Sequence, residues 1–379
     1  MFPYLAYRVR IPLAIAVAFL ISLLTTPKVK QFAERMGAID MPSERRINKT
    51  PIPRMGGLAI FFGFVVAMLL FVNIDQRVAG ILIGAIIIVA MGAVDDISNL
   101  SAIVKLTFQI VAALVAMRFG VVFNAISNPN FVSHTSTIYI GWLAYPLTLL
   151  WIVGCTNAVN LIDGLDGLAV GVSAISALTM MCVSVLVSDR NVTLILACLV
   201  GACIGFMPYN LNPAKIFMGD VGSQLLGFVL ACASIVGLFK LHAVITFLVP
   251  LMALAVPLAD TIFAFCRRIL HGQSPFKADK GHFHHRLLAS GLSQKQAVAV
   301  LYGVSAVMGL LAVLLAGNEP AIRIGCIVAA FLIALSMWIF IFKKNPHLKS
   351  GEKIENGQNA VQADETDSDI KIYERQKKK

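Results

Sequence analysis

Residues 78–98 read VAGILIGAIIIVAMGAVDDIS: seventeen uncharged, largely aliphatic residues and then two adjacent carboxylates, Asp95 and Asp96. Wound as an α-helix, a run of that length is just long enough to cross the ~30 Å hydrocarbon core of a bilayer. The question it raises is whether the rest of the chain is built the same way, and why a lipid-spanning segment should end on a pair of acids.

Outward from this stretch the pattern repeats. Apolar runs occur at about 11–26, 56–74, 78–94, 103–123, 140–158, 167–187, 191–208, 221–239, 241–265, 297–316 and 321–342. The 379-residue chain is 58% hydrophobic and 13% charged, against about 25% charged in soluble domains. These features predict an all-α, polytopic helical membrane protein of about eleven transmembrane helices. Residues 1–344 form one integral membrane domain, and the polar, mixed-charge stretch 345–379 is expected to be a disordered cytoplasmic tail. The run after Arg8 and Arg10 resembles a signal peptide but lacks a small-x-small cleavage site, so it is read as a retained first span. The seven cysteines show no C-x-x-C pair and are read as small buried hydrophobes.

Connector charge predicts the orientation. Segment 27–55 carries Lys28, Lys30, Arg35, Arg45, Arg46, Lys49 and Arg54; segment 266–296 carries Arg267, Arg268, Lys277, Lys280, Arg286 and Lys295; nine more basic residues follow from 343. The alternate connectors hold isolated charges such as Arg77 and Arg190. Basic loops stay inside, so the N-terminus is expected outside, the C-terminus in the cytoplasm, and the lipid bilayer, not nucleic acid, accounts for the basic balance.

On that basic side the acids collect. Asp95 and Asp96 end the third span, Asp163 and Asp166 (NAVNLIDGLDGLA) follow the fifth, Asp220 (FMGD) follows the seventh, and the histidines of DKGHFHH follow the ninth. Five converging carboxylates repel one another unless a cation sits among them. Oxygen-only ligands favour Mg²⁺, with Mn²⁺ as an alternative, over zinc. Lys49, Arg54, Lys105, Lys215, Lys280 and Arg286 suit a diphosphate. If the fifth span stays helical, Asn157, Asn160, Asp163 and Asp166 recur every three residues along one drifting face. A helix starting at Asp220 would offer its N-terminus to phosphate oxygens. Asp260, inside the ninth span, is expected either to line the same cavity or to pair with Arg267. A cation-coupled transporter and a membrane scaffold are the competing classes, but acids at span ends on one face fit neither a mid-bilayer transport site nor an inert anchor.

The order MGAVDD, NAVNLIDGLDGLA, NPAKIFMGDVGS, HFHH, with spans between, resembles the polyprenyl-phosphate N-acetylhexosamine-1-phosphate transferases over nearly the whole chain. The closest likeness is to the bacterial branch that moves GlcNAc-1-phosphate from UDP-GlcNAc to undecaprenyl phosphate and initiates wall teichoic acid, O-antigen or related glycans. The resemblance implies a bacterial plasma-membrane enzyme with a cytoplasmic active site, and is compatible with a homodimer. It implies Asp220 as the Mg²⁺ ligand, with Asp95 and Asp96 beside the metal and the lipid phosphate, and Lys49 near that phosphate. It further implies Asn160, Asp163 and Asp166 along the nucleotide, Phe217 stacked on uracil, and Asn210 and Lys105 in the pocket. His282, His284, His285 and Arg286 would handle diphosphate and sugar. The run His282-Phe283-His284-His285-Arg286 departs from the three consecutive histidines of the phospho-MurNAc-pentapeptide branch, which is the alternative within the family.

Overall fold

The computed structural model describes residues 6–41, 51–123, 125–127, 137–139, 141–186, 189–237, 243–270, 282–317 and 319–342. Lys49, Lys277, Lys280 and the 345–379 tail lie outside the described residues. The first helices are α1 (Tyr7–Arg35), α2 (Gly57–Phe71), α3 (Gln76–Ser98), α4 (Ala102–Arg118), α5 (Ala144–Leu161), α6 (Leu168–Leu186) and α7 (Arg190–Asn210). Then come α8 (Gly219–Gly237), α9 (Ala243–Ala253), α10 (Ala255–Leu270), the short α11 (Phe283–Ala289), α12 (Gln294–Leu315) and α13 (Pro320–Phe342). Two antiparallel two-stranded ribbons, Ile39–Asp40 with Ile52–Pro53 and Ala125–Ser127 with Thr137–Tyr139, are the strands among the described residues. The architecture is that of an all-α polytopic membrane protein. Each apolar run contains a helix among the described residues, and seven of these helices are long and apolar enough to cross a membrane.

Two boundaries differ from expectation. Residues 27–35, expected as connector, continue α1 for 29 residues in all, roughly 44 Å at 1.5 Å per residue, so one end of α1 overshoots the hydrocarbon. Thr25 and Thr26 hydroxyls bond back to Ile21 O and Ser22 O at 2.7 and 2.6 Å in the turn ahead of Pro27. The ninth run is two helices, α9 and α10, meeting at Leu254. Pro257 has no N–H to give the Ala253 carbonyl four residues earlier; the Ser176 hydroxyl of α6 donates to it instead.

The bundle is organised around α7 and α8, which are buried along most of their length. In lipid no hydrophobic force draws one apolar helix to another, so close backbone approach supplies the packing. Ala14, Ala18, Ser22 and Thr26 form a stripe of small buried residues on α1. Facing it, a Cβ on Gly201 or Gly205 of α7 would fall 2.2 Å from Ile15 O or 2.3 Å from Phe19 O. The helices of interest for function, α3, α4, α5 and α8, pack together beside this pair.

Candidate functional site

The site is built at one end of the bundle, where α3 and α5 finish and α4 and α8 begin. Asn99 takes a left-handed conformation (φ 49°) that ends α3, and Ser101 caps α4, its hydroxyl accepting from Val104 N–H. This tight reversal places Lys105, in the first full turn of α4, over the last turn of α3. Its Nζ lies 2.7 Å from Asp95 Oδ2 and 2.8 Å from Asp220 Oδ2. The other Asp95 oxygen accepts from Leu100 N–H at 2.6 Å. Asp220 also accepts from Asn160 Nδ2 at 3.2 Å and Gln224 Nε2 at 2.9 Å, and Asn160 donates in addition to Ser223 Oγ at 2.8 Å.

Asp96 does something the sequence did not announce. Its carboxylate accepts from the backbone N–H of Asp220 at 3.0 Å and of Val221 at 3.4 Å. It therefore occupies the N-terminus of α8, which had been expected to face phosphate; a side-chain anion satisfies the open amides and the helix dipole there. Gly219 makes this possible. Its φ is +70°, and a Cβ would sit 2.2 Å from Asp96 Oδ2. Asp95, Asp96 and Asp220 each present an oxygen within 4.8 Å of the others. An all-carboxylate set so spaced fits a hard divalent cation.

The α5 face is shorter than the three-residue repeat implied. The helix stops at Leu161, and 162–167 is a turn ending in Gly167 at φ +79°, so Asp163 and Asp166 are not on a helix. His284 packs closely against this turn: a Cβ on Gly164 would fall 2.4 Å from His284 Nε2. The two acids then part company. Asp166 accepts from Asn212 Nδ2 at 2.9 Å and Ala214 N–H at 3.0 Å, tying the turn to the segment after α7. Asn210 has the same office. It is buried, accepts from Gly167 N–H at 3.2 Å and donates to Ile216 O at 3.0 Å. The Asp163 carboxylate, in contrast, has no hydrogen-bond partner among the described residues. Burial, then the charges of Asp220, Asp96 and Asp166, push its carboxyl up to about 8.

The histidine segment is anchored from the membrane side. Asp260 of α10 accepts from His282 Nδ1–H across 2.7 Å and from Phe283 N–H at 2.6 Å, capping α11. Its partner is thus His282 rather than Arg267 or an open cavity. His282 and His284 stack with centroids 5.8 Å apart at 7°, and His285 lies 4.3 Å from His284. Burial first, then the charge of His285, lowers His284 to about 4; at neutral pH it offers a hydrogen bond, not a charge. Arg286 follows on α11, half-buried. Phe217 is half-buried three residues before Asp220, its backbone N–H on Pro53 O at 2.8 Å and its carbonyl accepting from Gly56 N–H at 2.9 Å. Arg54 donates to Asn99 Oδ1 at 3.3 Å and Lys215 is exposed. Ser223, Gln224 and Gln109 were missed from sequence. The available signal was a glutamine four residues after Asp220 and another four after Lys105, on the same helical face in each case.

With this geometry in view, a family model for glycosyl transferase family 4 matches residues 78–238, which include Asp95, Asp96, Lys105, Asn160, Asp163 and Asp220. The chain is 43% identical over 309 residues to the probable undecaprenyl-phosphate N-acetylglucosaminyl 1-phosphate transferase of Bacillus subtilis (strain 168), covering 79% of this chain and 85% of that one. It is 37% identical over 314 residues to decaprenyl-phosphate N-acetylglucosaminephosphotransferase of Mycobacterium tuberculosis, covering 75% and 77%. It is 27% identical over 329 residues to undecaprenyl-phosphate alpha-N-acetylglucosaminyl 1-phosphate transferase of Escherichia coli (strain K12), covering 83% and 86%. Matched along most of its length by such relatives, the chain belongs to glycosyl transferase family 4, among the polyprenyl-phosphate N-acetylhexosamine-1-phosphate transferases.

Proposed function

We propose that this protein transfers GlcNAc-1-phosphate from UDP-GlcNAc to undecaprenyl phosphate, releasing UMP and forming the first lipid-linked intermediate of a cell-envelope glycan. The names of its relatives support the reaction. The observation that carries the site is Lys105 held between Asp95 and Asp220 at one bundle end, with the unpartnered Asp163 alongside. That end faces the cytoplasm of a bacterial plasma membrane crossed about eleven times, N-terminus outside and C-terminus inside, a reading supported by the basic connectors.

In the reaction a lipid-phosphate oxygen attacks the β-phosphorus of UDP-GlcNAc. The bond to the bridging oxygen breaks, UMP departs with that oxygen, and a new diphosphate joins the sugar to the lipid. Asp220, with Asp95 and Asp96 beside it, would hold Mg²⁺ or Mn²⁺, which would supply charge neutralisation at the diphosphate. Lys105 and Lys49 offer cationic contacts to phosphate oxygens. Asp163 hydrogen-bonds the uracil or its neighbour, Phe217 stacks on the ring, and Asn160 holds Asp220 toward the diphosphate. His284, His285 and Arg286 close on the sugar and diphosphate, with His282 as their anchor; Asp166 and Asn210 shape the nucleotide pocket by fixing its turn. A phosphate monoester's second pKa is near 6, so the acceptor is largely dianionic at pH 7, and Asp95, already accepting from Leu100 and Lys105, acts through charge and position.

Detergent-purified protein is expected to release UMP from UDP-GlcNAc only when Mg²⁺ and undecaprenyl phosphate are both present. UMP release from UDP-MurNAc-pentapeptide instead would move the assignment to that branch, and solute flux in liposomes without UMP would replace it with a transporter.

A further inference from the structure

Polar contacts continue from Asp220 into the membrane-spanning part of the bundle. Gln224, one turn along α8, donates from Nε2 to Asp220 Oδ2 at 2.9 Å. Its carbonyl accepts from Gln109 Nε2 of α4 at 2.9 Å. The Gln109 carbonyl accepts from Asn157 Nδ2 of α5 at 2.7 Å, and the same nitrogen donates to Val153 O at 2.9 Å. A second bond, Gln109 Nε2 to Asn157 Oδ1 at 3.3 Å, closes the pair. Gln109 and Gln224 are fully buried.

The direction of this chain is fixed by its two ends. At one end is a carboxylate, which only accepts, so Gln224 must present its NH₂ there. At the other is a backbone carbonyl, which also only accepts, so Asn157 must present its NH₂ there. Every amide between is thereby forced into one orientation, and the donor end of the last points at Asp220. Joined in this way the amides hold one another in register; flipping any member would set like against like. Lys105, the other donor to the same Asp220 oxygen, is a flexible four-carbon stem that the proposed reaction requires at a phosphate.

We infer that Gln224, Gln109 and Asn157 are positioning residues that hold the Asp220 carboxylate in one orientation while Lys105 serves the phosphate. The inference rests on Asp220 being the metal and diphosphate carboxylate. The competing role for three buried amides between membrane helices is interhelical adhesion alone, and the two roles separate experimentally.

Gln109→Leu touches neither Asp220 nor any group assigned to substrate. It is expected to lower kcat by about 10-fold, the lower end of what removing a direct partner of a metal ligand costs, since Gln109 acts through Gln224, with the UDP-GlcNAc KM within about twofold. Without substrates, titration of Mn²⁺ followed by the EPR signal of the free ion is expected to show a dissociation constant raised by a similar factor. Because Gln109 acts through Gln224, adding Gln109→Leu to Gln224→Leu is expected to change kcat by less than about twofold. Unchanged kcat and Mn²⁺ affinity with a lowered Tm, or multiplicative effects in the double variant, would overturn the inference in favour of adhesion. Gln109→Met, nearly isosteric, repeats the test if the leucine variant does not fold; failure of both to fold also decides for adhesion. Asp220→Asn separates the two levels: turnover in that variant sinks the metal reading itself, whereas a dead Asp220→Asn beside wild-type behaviour in the Gln109 variants sinks only the positioning chain.

Discussion

The α3–α4–α8 corner and the 162–167 turn both carry carboxylates, yet they handle charge in opposite ways. In the corner every acid is matched. Asp95 has Lys105 and Leu100 N–H, Asp96 has the α8 amides, and Asp220 has Lys105, Asn160 and Gln224. In the turn Asp163 has no partner among the described residues and its proton is held up to about 8, while its near neighbour Asp166 is spent on Asn212 and Ala214. The first region is a preorganised field whose orientation no longer has to be found when substrate arrives. The second keeps one hydrogen-bonding group free for whatever docks there.

The sharpest way to break the contrast is to unbalance the corner. Asp220→Asn is expected to lower turnover by about a thousandfold, at the upper end for loss of a preorganised charge at a transition state, with Tm little changed; a UMP-release assay with thermal unfolding checks it. Gly164→Ala attacks the join between the regions, since the added Cβ meets His284 Nε2. Displacing the histidine segment by about an ångström is expected to lower kcat/KM by about a hundredfold, read from initial rates across UDP-GlcNAc concentrations.

Apolar runs and the polar clusters at their ends were legible in the sequence because bilayer thickness imposes a length on every span. Asp163 and Asp166 looked equivalent because each precedes a glycine. What separates them is Asn212 and Ala214, more than forty positions away, and no local pattern encodes such a contact. The break at Leu254 was hidden for a related reason: Pro250 and Pro257 are common enough in membrane helices that neither marks where one helix becomes two. The occupation of the α8 N-terminus by Asp96 depends on packing α3 against α8, which spacing alone does not give.

Two smaller effects sharpen the distinction between the acids of the turn. Asp166→Ala is expected to destabilise the protein by about 1 kcal/mol, the usual net worth of a hydrogen bond, because Asn212 keeps its bond to Gln294, and to raise the UDP-GlcNAc KM through the loosened turn more than it lowers kcat; denaturation and rate measurements on one preparation test both halves. Asp163 is expected to leave a trace in stability against pH. Its carboxyl is raised from the ordinary 3.8 to about 8, so the folded protein retains a proton that the unfolded chain has lost. Stability contributed by that proton is whole below about pH 4 and declines as pH rises toward about 8, then levels off. In buffer free of divalent cations Tm should fall across that window, and Asp163→Asn should flatten the slope; an unaltered slope would assign it to another group.

The carboxylate seated on the first amides of α8 carries one more implication. Many phosphate-handling proteins expose a ring of open backbone N–H groups, into which sulfate or inorganic phosphate settles as readily as substrate does. Here that seat is already taken by Asp96, so the first amides of α8 offer a bare anion no open place. Small oxyanions should therefore find no seat at this helix end, even in a phosphate-rich medium.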